Sequence, residues 1–475
     1  MESEIEQARI NSDFFDKERF QKQLDIIKQA ADLAAAKVDY KSAHDDNIIL
    51  AIDIVENFLR KKHRLCYGGQ AINAHLPAKY KFYDPEYSIP DYDFFTPTQD
   101  SDITMLVNDL RKAGFTEISA REGMHEGTVK IYVDFIPVAD MTAIDPKLYK
   151  ILSSREYRMD GISYLDANSL RMLMYLELSR PRGEVGRWEK VYERLALFNE
   201  FVPARPCKMK SDPFNGGLNT AQVDFVLNFI IQNKRIFAGA DLFEFYGDSL
   251  KAKKQNTNWI VGSRKPVLFF SPDAALDAKQ IREEFSFILS EHKAKKRTEG
   301  HDVSHYKPIT IRSYSSGGVD LIPTMKVVSY GDKSLVFIID QTACHSYFNV
   351  PMSEDKIIRV ASLDTLITLY FSLGLLDTKF YDMGSMECLA NKLVQLSVDA
   401  RHRPDDFPFP FVSIKCAGHQ VSLPSLIRAK VKRITQKKEQ LRALMADKKT
   451  NPNGLRRKSL RFRIRGGKKS FRGSR

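Results

Sequence analysis

No run of 18 apolar residues occurs in the 475-residue chain, so a membrane-spanning helix is not expected. Paired cysteines are also lacking. The five cysteines stand apart at 66, 207, 344, 388 and 416. None forms a Cys-x-x-Cys pair and their number is odd. That pattern argues against structural zinc and a disulfide framework, and for reduced thiols in a cytosolic or nuclear compartment. The opening residues, MESEIEQARI, are acidic and have no apolar core, so no secretory leader is expected there. Apolar residues make up 43% and aromatics 11%, enough for folded domains. The length predicts two or three of them.

Net charge is +13, unevenly spread. From Arg428 to Arg475 there are 19 Lys and Arg against 2 Asp and Glu; the rest of the chain holds 54 basic and 58 acidic residues, a net of −4. A basic arm on a near-neutral body is the footprint of polyanion binding. Residues 425–447 read as a helix with a patchy apolar side. Beyond 448, basic residues alternate with Leu460, Phe462, Ile464 and Phe471 without helical period. Phosphate neutralisation with aromatic stacking makes this an expected RNA tether through Arg456, Arg457, Lys458, Arg461, Arg463, Arg465, Lys468 and Lys469. A solubilising tail or a nuclear import signal is the plainer reading.

Along the chain, periodicity predicts helices over 18–40 and 45–62, the second with Ile48, Ile52, Val55 and Leu59 in one stripe. A strand at Leu65 to Tyr67 runs into Gly68 and Gly69. IPDYDFFTP (89–97) reads as an edge strand starting after Pro90. Helices are expected over 102–113, 166–180 and 187–200. GTVKIYVDFIPV (127–138) alternates and reads as one strand with Lys130, Tyr132 and Asp134 on its polar face. The Pro- and Gly-rich residues 202–217 are the best interior boundary.

Four motifs recur in order. YGGQAIN, DYDFFTP, VDFIPV and LDANSLRMLMYLEL are followed by FAGADLF, PVLFFSPD, VDLIPT and ASLDTLITLYFSL. Two copies of one α/β unit are therefore expected. The second copy lacks the acidic pair: Asp91 and Asp93 align with Val267 and Phe269 or their neighbours. Asp134 aligns with Asp320, and the two glycines become Ala238 and Gly239.

Asp-x-Asp alone is more often a surface turn than a site, and Gly-Gly alone is usually just a turn. Together with a third aspartate they suggest chemistry. Residues i and i+2 of a strand share a face, so Asp91 and Asp93 set two carboxylates side by side. Close anions repel unless a cation lies between them. Mg²⁺ prefers oxygen ligands and a substrate phosphate. With Asp134, the set suits two ions about 4 Å apart for in-line phosphoryl displacement. Gly68 and Gly69 let backbone N–H groups approach phosphates. His301 and His305 lack a third ligand, and RIRGGKKS (463–470) lacks the upstream glycine and strand of a phosphate-binding loop.

These residues resemble the nucleotidyltransferase superfamily of the DNA polymerase β type. More narrowly, YGGQAIN, DYDFFTP, VDFIPV and RGEVGRWEKVYERLALFN (182–199) resemble the poly(A) polymerase catalytic subunits of large cytoplasmic DNA viruses of the poxvirus, asfarvirus and mimivirus types. The resemblance covers residues 45–200 well and extends to about 375, and it excludes the basic tail. It implies an α/β fold of two tandem nucleotidyltransferase-like units, the second degenerate. It implies a template-independent transferase that adds AMP from ATP to mRNA 3′ ends with two Mg²⁺ or Mn²⁺ ions held by Asp91, Asp93 and Asp134. Gly68 and Gly69 would contact ATP phosphates, with Arg187 and Lys190 at the triphosphate. It also implies either a homodimer or a separate viral processivity factor, with no membrane, in the host cytoplasm (the viral factory) and the virion. An oligoadenylate or cyclic dinucleotide synthase, a tRNA CCA-adding enzyme and a non-catalytic RNA-binding protein are the alternatives. The expected division is an N-terminal helical segment (1–44), a catalytic domain (45–205), a degenerate domain (206–424) and the basic arm (425–475).

Overall fold

In the computed structural model, residues 17–84, 86–211, 213–255, 265–314, 324–353, 355–376 and 378–450 are described. Helix α1 (Lys17–Ala43) is followed by α2 (Asp46–Lys62). Asp45 caps α2 by accepting from the Asn47 and Ile48 N–H groups, and Arg60, Lys61 and Lys62 complement its C-terminal dipole. Its stripe, Ile48, Ile52, Val55, Phe58 and Leu59, is buried. Each such side chain contributes about 1.5–3 kcal/mol.

Two mixed sheets carry the chain. The first contains β1 (Leu65–Tyr67), β2 (Tyr92–Thr96), β3 (Ile118–Glu122), β4 (Thr128–Val133), β5 (Ile136–Ala143), β6 (Tyr157–Met159) and β7 (Ile162–Tyr164). Its order is β3-β4-β5-β2-β1-β7-β6. The second contains β8 (Ile236–Phe237), β9 (Val267–Ser271), β10 (Ile309–Tyr314), β11 (Met325–Tyr330), β12 (Lys333–Asp340), β13 (His345–Ser353), β14 (Lys356–Ala361) and β15 (Cys416–Ala417). Its order is β10-β11-β12-β9-β8-β14-β13-β15. With β15 set aside, strand order and relative directions repeat: β1 and β8 run antiparallel to β2 and β9, and β5 and β12 run parallel to them. Helices repeat as well. After α2 come α3 (Gly68–His75), α4 (Gln99–Lys112), α5 (Pro146–Ser153), α6 (Ala167–Leu178) and α7 (Trp188–Phe201). In the second unit α8 (Thr220–Gln232), α9 (Leu242–Ala252), α10 (Ala274–Thr298), α11 (Leu363–Leu373) and α12 (Met383–His402) follow, then α13 (Leu423–Thr450).

One ion pair recurs with the repeat. Arg64, just before β1, holds the buried Asp102 of α4 through Nε at 2.6 Å and Nη2 at 2.9 Å. Arg235, just before β8, holds Asp277 of α10 the same way at 2.7 and 2.9 Å. Fork-on-carboxylate geometry satisfies both partners, which a buried charge requires. The residues that pin a helix start to the central strand are thus shared by both units.

Two expectations fail here. Residues 127–138 are not one strand. Asp134 and Phe135, both at positive φ (49° and 67°), form the turn between β4 and β5, as in a two-residue hairpin of the type that suits strand twist. Phe135 is 74% exposed. The third repeat motif also shifts. The counterpart of this turn lies between β11 and β12, at Gly331 and Asp332, whereas VDLIPT ends before β11 begins. Asp320 lies outside the described residues.

The cysteines also depart from expectation. Cys207 and Cys388 form a disulfide with Cα atoms 5.7 Å apart, and Cys344 and Cys416 another at 5.4 Å. Only Cys66 is unpaired among the described residues, and it is buried. The partners are separated by 181 and 72 residues, so no local motif announces them. The cysteine pattern therefore does not indicate a compartment. Among the described residues no helix is long and apolar enough to cross a membrane.

Candidate active site

Asp93 is the second residue of β2. It stands opposite Tyr67, the last residue of β1, and opposite Asp140 in the middle of β5. Tyr67 leads straight into α3, whose first residue, Gly68, has φ +74°. A Cβ on Gly68 would collide with the Asp93 carboxylate. Glycine is required there both for the left-handed backbone and for the close approach. Asp91 lies two residues before Asp93 and is exposed.

The third carboxylate beside this pair is Asp140, not Asp134. Asp134 sits in the β4–β5 turn, exposed, with its N–H donating to the Glu117 carbonyl at 3.0 Å. Asp140 is 6% exposed. Lys130, opposite it on β4, donates to Asp140 Oδ2. The other oxygen, Oδ1, is buried and has no hydrogen-bond partner among the described residues.

The electrostatics follow from crowding. Burial, then Asp91 and Asp140, push the Asp93 carboxyl up to about 7, against the pull of Lys130 and Arg187. Burial, followed by Asp91, also raises Asp140, opposed by Lys130. Burial opposes the Lys130 charge, but the Asp140 hydrogen bond and three carboxylates outweigh it and raise its pKa. Hard oxygen donors with an orphaned buried oxygen fit a divalent cation. Among the described residues, however, no three such side chains are drawn to ligand spacing, and Lys130 holds one Asp140 oxygen.

Opposite the carboxylates runs the α7 cation row. Arg187 ends the turn before α7 and reaches Glu177 at 3.4 Å and Glu184 at 3.5 Å. Burial, then Arg194 and Arg187, lower Lys190, while Asp91 raises it. Arg194 donates to the Tyr83 hydroxyl at 2.7 Å and lies over the Phe82 ring at 4.8 Å. A Cβ on Gly69 would come within 2.7 Å of that hydroxyl and 2.9 Å of Arg194 Nη1. Residues 187, 190 and 194 share a helix face. The structure thus brings Gly68, Gly69, Asp91 and Asp93 together, with Arg187 and Lys190 acting on the same carboxylates. It adds Asp140, Lys130, Tyr83 and Arg194, which sequence reading missed. The predicted tail residues Arg456, Arg457, Lys458, Arg461, Arg463, Arg465, Lys468 and Lys469 lie outside the described residues.

In the second unit the same positions are apolar. Strand register matches Asp93 with Leu268 and Asp140 with Phe337, and both are buried. The carboxylates are kept in one copy and lost from the other.

Residues 53–184 match the family model of the poly(A) polymerase catalytic subunit. This poly(A) polymerase match spans the whole first sheet and every candidate carboxylate, and ends before α7 and the second sheet. A candidate poly(A) polymerase catalytic subunit of Acanthamoeba polyphaga mimivirus is 26% identical over 233 residues, 47% of this chain and 39% of that protein. Its African swine fever virus counterpart (strain Badajoz 1971 Vero-adapted) is 27% identical over 175 residues, 36% of this chain and 37% of that protein. The chain thus spans about two fifths of the length of the curated relatives it matches. The Megavirus polyadenylate synthase structure shares the fold, with TM-score 0.63 and 16% identity, covering 90% of this chain and 84% of that one.

Proposed function

We propose that the chain is a template-independent polyadenylate polymerase that transfers AMP from ATP to the 3′ hydroxyl of RNA and releases pyrophosphate. The observation that carries this is the pairing of Asp93 with Asp140 at the glycine turn, inside the segment that matches the poly(A) polymerase family. Asp91, Asp93 and Asp140 are the residues that would hold Mg²⁺ or Mn²⁺; a bound divalent cation supplies Lewis-acid stabilisation of the attacking and leaving oxygens. Gly68 and Gly69 present backbone N–H groups of the α3 start to the nucleotide phosphates. Arg187, Lys190 and Arg194 line the opposite wall as cations for the triphosphate and the departing pyrophosphate. Lys130 keeps Asp140 oriented on β5 and limits mutual repulsion of the carboxylates.

Catalysis in this reading is positioning plus electrostatics, with no covalent nucleophile from the protein. The catalytic unit comprises residues 45–205 and the degenerate unit 206–424, preceded by the 1–44 segment and followed by the basic arm. RNA is the macromolecular partner. In this reading the chain works as a homodimer or with a processivity subunit, in the host cytoplasm or virion.

Primer extension on a short RNA with ATP, GTP, CTP and UTP supplied separately tests the proposal. Wild type extends with ATP, and Asp91→Ala or Asp93→Ala abolishes extension. Equal use of all four nucleotides, products made without a primer, or normal extension by either variant would overturn it.

A further inference from the structure

Between Leu423 and Thr450, α13 carries nine Lys and Arg against two acidic residues, a net of +7. Two of those cations are engaged with a single carboxylate. Arg433 Nε lies 3.8 Å from Glu122 Oε2, and Lys437 pairs with Glu122 Oε1. Arg433 also donates to the Met124 carbonyl at 3.2 Å. Glu122 ends β3, and Met124 lies in the turn to β4.

That turn closes the outermost hairpin of the first sheet. Tyr67, Asp93, Asp140, Lys130 and Arg121 form one cross-strand row. Glu122, where β3 ends, is one residue beyond that row, and the turn to β4 lies at the opposite end of the strands from the β1–α3 glycine turn. In the same turn, His125 lies 3.2 Å from Glu184, in the segment that leads to Arg187. The helix is therefore fastened to the outer hairpin of the first sheet, whose turn also contacts the segment that leads to Arg187.

The remaining cations are differently placed. Leu426, Arg433 and Ile434 are the half-buried, inward side of α13, whereas Arg428, Lys432, Lys438 and Arg442 are exposed. None of these four has an ion pair among the described residues. At 100° per residue they fall within about a third of the helix circumference and span roughly 21 Å along its axis. Glu439 is the acidic residue in that face. Exposed Ile427 and Leu441 flank the row, and exposed Val431 lies within it.

We propose that α13 is a fixed guide for the RNA strand, its Arg428, Lys432, Lys438 and Arg442 row taking up backbone phosphates just outside the carboxylate site. This rests on the transferase reading above. An amphipathic basic helix also fits an anionic membrane surface. The docking of α13 on the hairpin that carries Lys130, whose turn also touches the segment before Arg187, favours RNA.

The test compares full-length wild type with a variant carrying Arg428→Gln, Lys432→Gln, Lys438→Gln and Arg442→Gln. Binding of a fluorescein-labelled oligoadenylate is followed across about 50 to 200 mM salt. The variant should bind at least about tenfold more weakly at the low-salt end. Its log–log salt slope should be shallower by about 2 to 3, as expected for losing four phosphate contacts at about 0.7 each. The KM for RNA should rise with the KM for ATP unchanged. Glu122→Ala should raise the KM for RNA while leaving the salt slope nearly intact, since the row survives and only its placement is lost. An unchanged slope and RNA KM in the fourfold variant overturn the guide, even if wild type extends RNA normally. Loss of binding to phosphatidylcholine–phosphatidylserine vesicles with unchanged RNA binding overturns it in favour of a membrane surface. If wild type makes no poly(A) but binds RNA with the row-dependent slope, the guide stands and the transferase reading fails.

Discussion

Asp93 and Asp140 face each other across neighbouring parallel strands, and each raises the energy of the other's charged form. Exchanging either for an amide removes a candidate cation ligand without changing its shape. Asp140→Asn should lower ATP incorporation by about 100-fold or more, while Asp134→Asn should stay within about twofold of wild type. Steady-state primer extension on matched preparations decides between the two aspartates. The reverse ranking would return Asp134 to the site.

The raised Asp93 pKa has a consequence for stability. The folded state binds this proton up to about pH 7, whereas the unfolded chain releases it near the ordinary carboxylate value. Between those limits the native state holds more protons, so stability falls as pH rises. With chelator present, the melting temperature should decline from about pH 4 to about pH 7, and Asp93→Asn should flatten that decline. Added Mg²⁺ should raise the melting temperature more at pH 8 than at pH 5, because only the deprotonated set attracts it. Thermal melts across pH check both parts.

Gly68 and Gly69 should respond differently to alanine. At Gly68 the new methyl meets the Asp93 carboxylate and the backbone is left-handed. At Gly69 it meets the ends of the Tyr83 and Arg194 side chains, which can shift. Gly68→Ala should cost at least about tenfold in kcat/KM, a loss of about 1.4 kcal/mol of transition-state binding. Gly69→Ala should chiefly raise the KM for ATP. Kinetics of the two purified variants separate them.

The repeated ion pair predicts matched stability losses. Asp102→Ala strands Arg64, and Asp277→Ala strands Arg235. Each should cost about 3 to 5 kcal/mol, the typical cost of breaking a buried pair. Denaturant melts of both variants give the comparison. A loss below about 1 kcal/mol at either site would mean the pair is replaceable by water.

Much of the scaffold was legible in the sequence because its signals are local. Asp45 and Asp166 cap α2 and α6, and the apolar stripes follow helical period. Two α/β units in tandem were visible in the recurring aromatic-x-Gly, FF and LD motifs. The third carboxylate was not visible. Lys130 to Phe135 keeps strict alternation through the β4–β5 turn, and Asp-Phe is not the Asp-Gly dipeptide that marks a tight hairpin. Asp140 stands two residues past the end of the strand as read. Only strand pairing sets it beside Asp93. Tyr83 and Arg194 meet across 111 residues, and the disulfides span 181 and 72, so neither leaves a local trace.

The apolar filling of Leu268 and Phe337, where the first unit holds Asp93 and Asp140, gives one chain two versions of the same architecture. One version carries mutually repelling buried charges; the other has replaced them with tight packing. The first unit is thus held below the stability its own blueprint allows, and the deficit is located at the centre of its chemistry. Its twin shows the same sheet with both positions given over to buried apolar side chains.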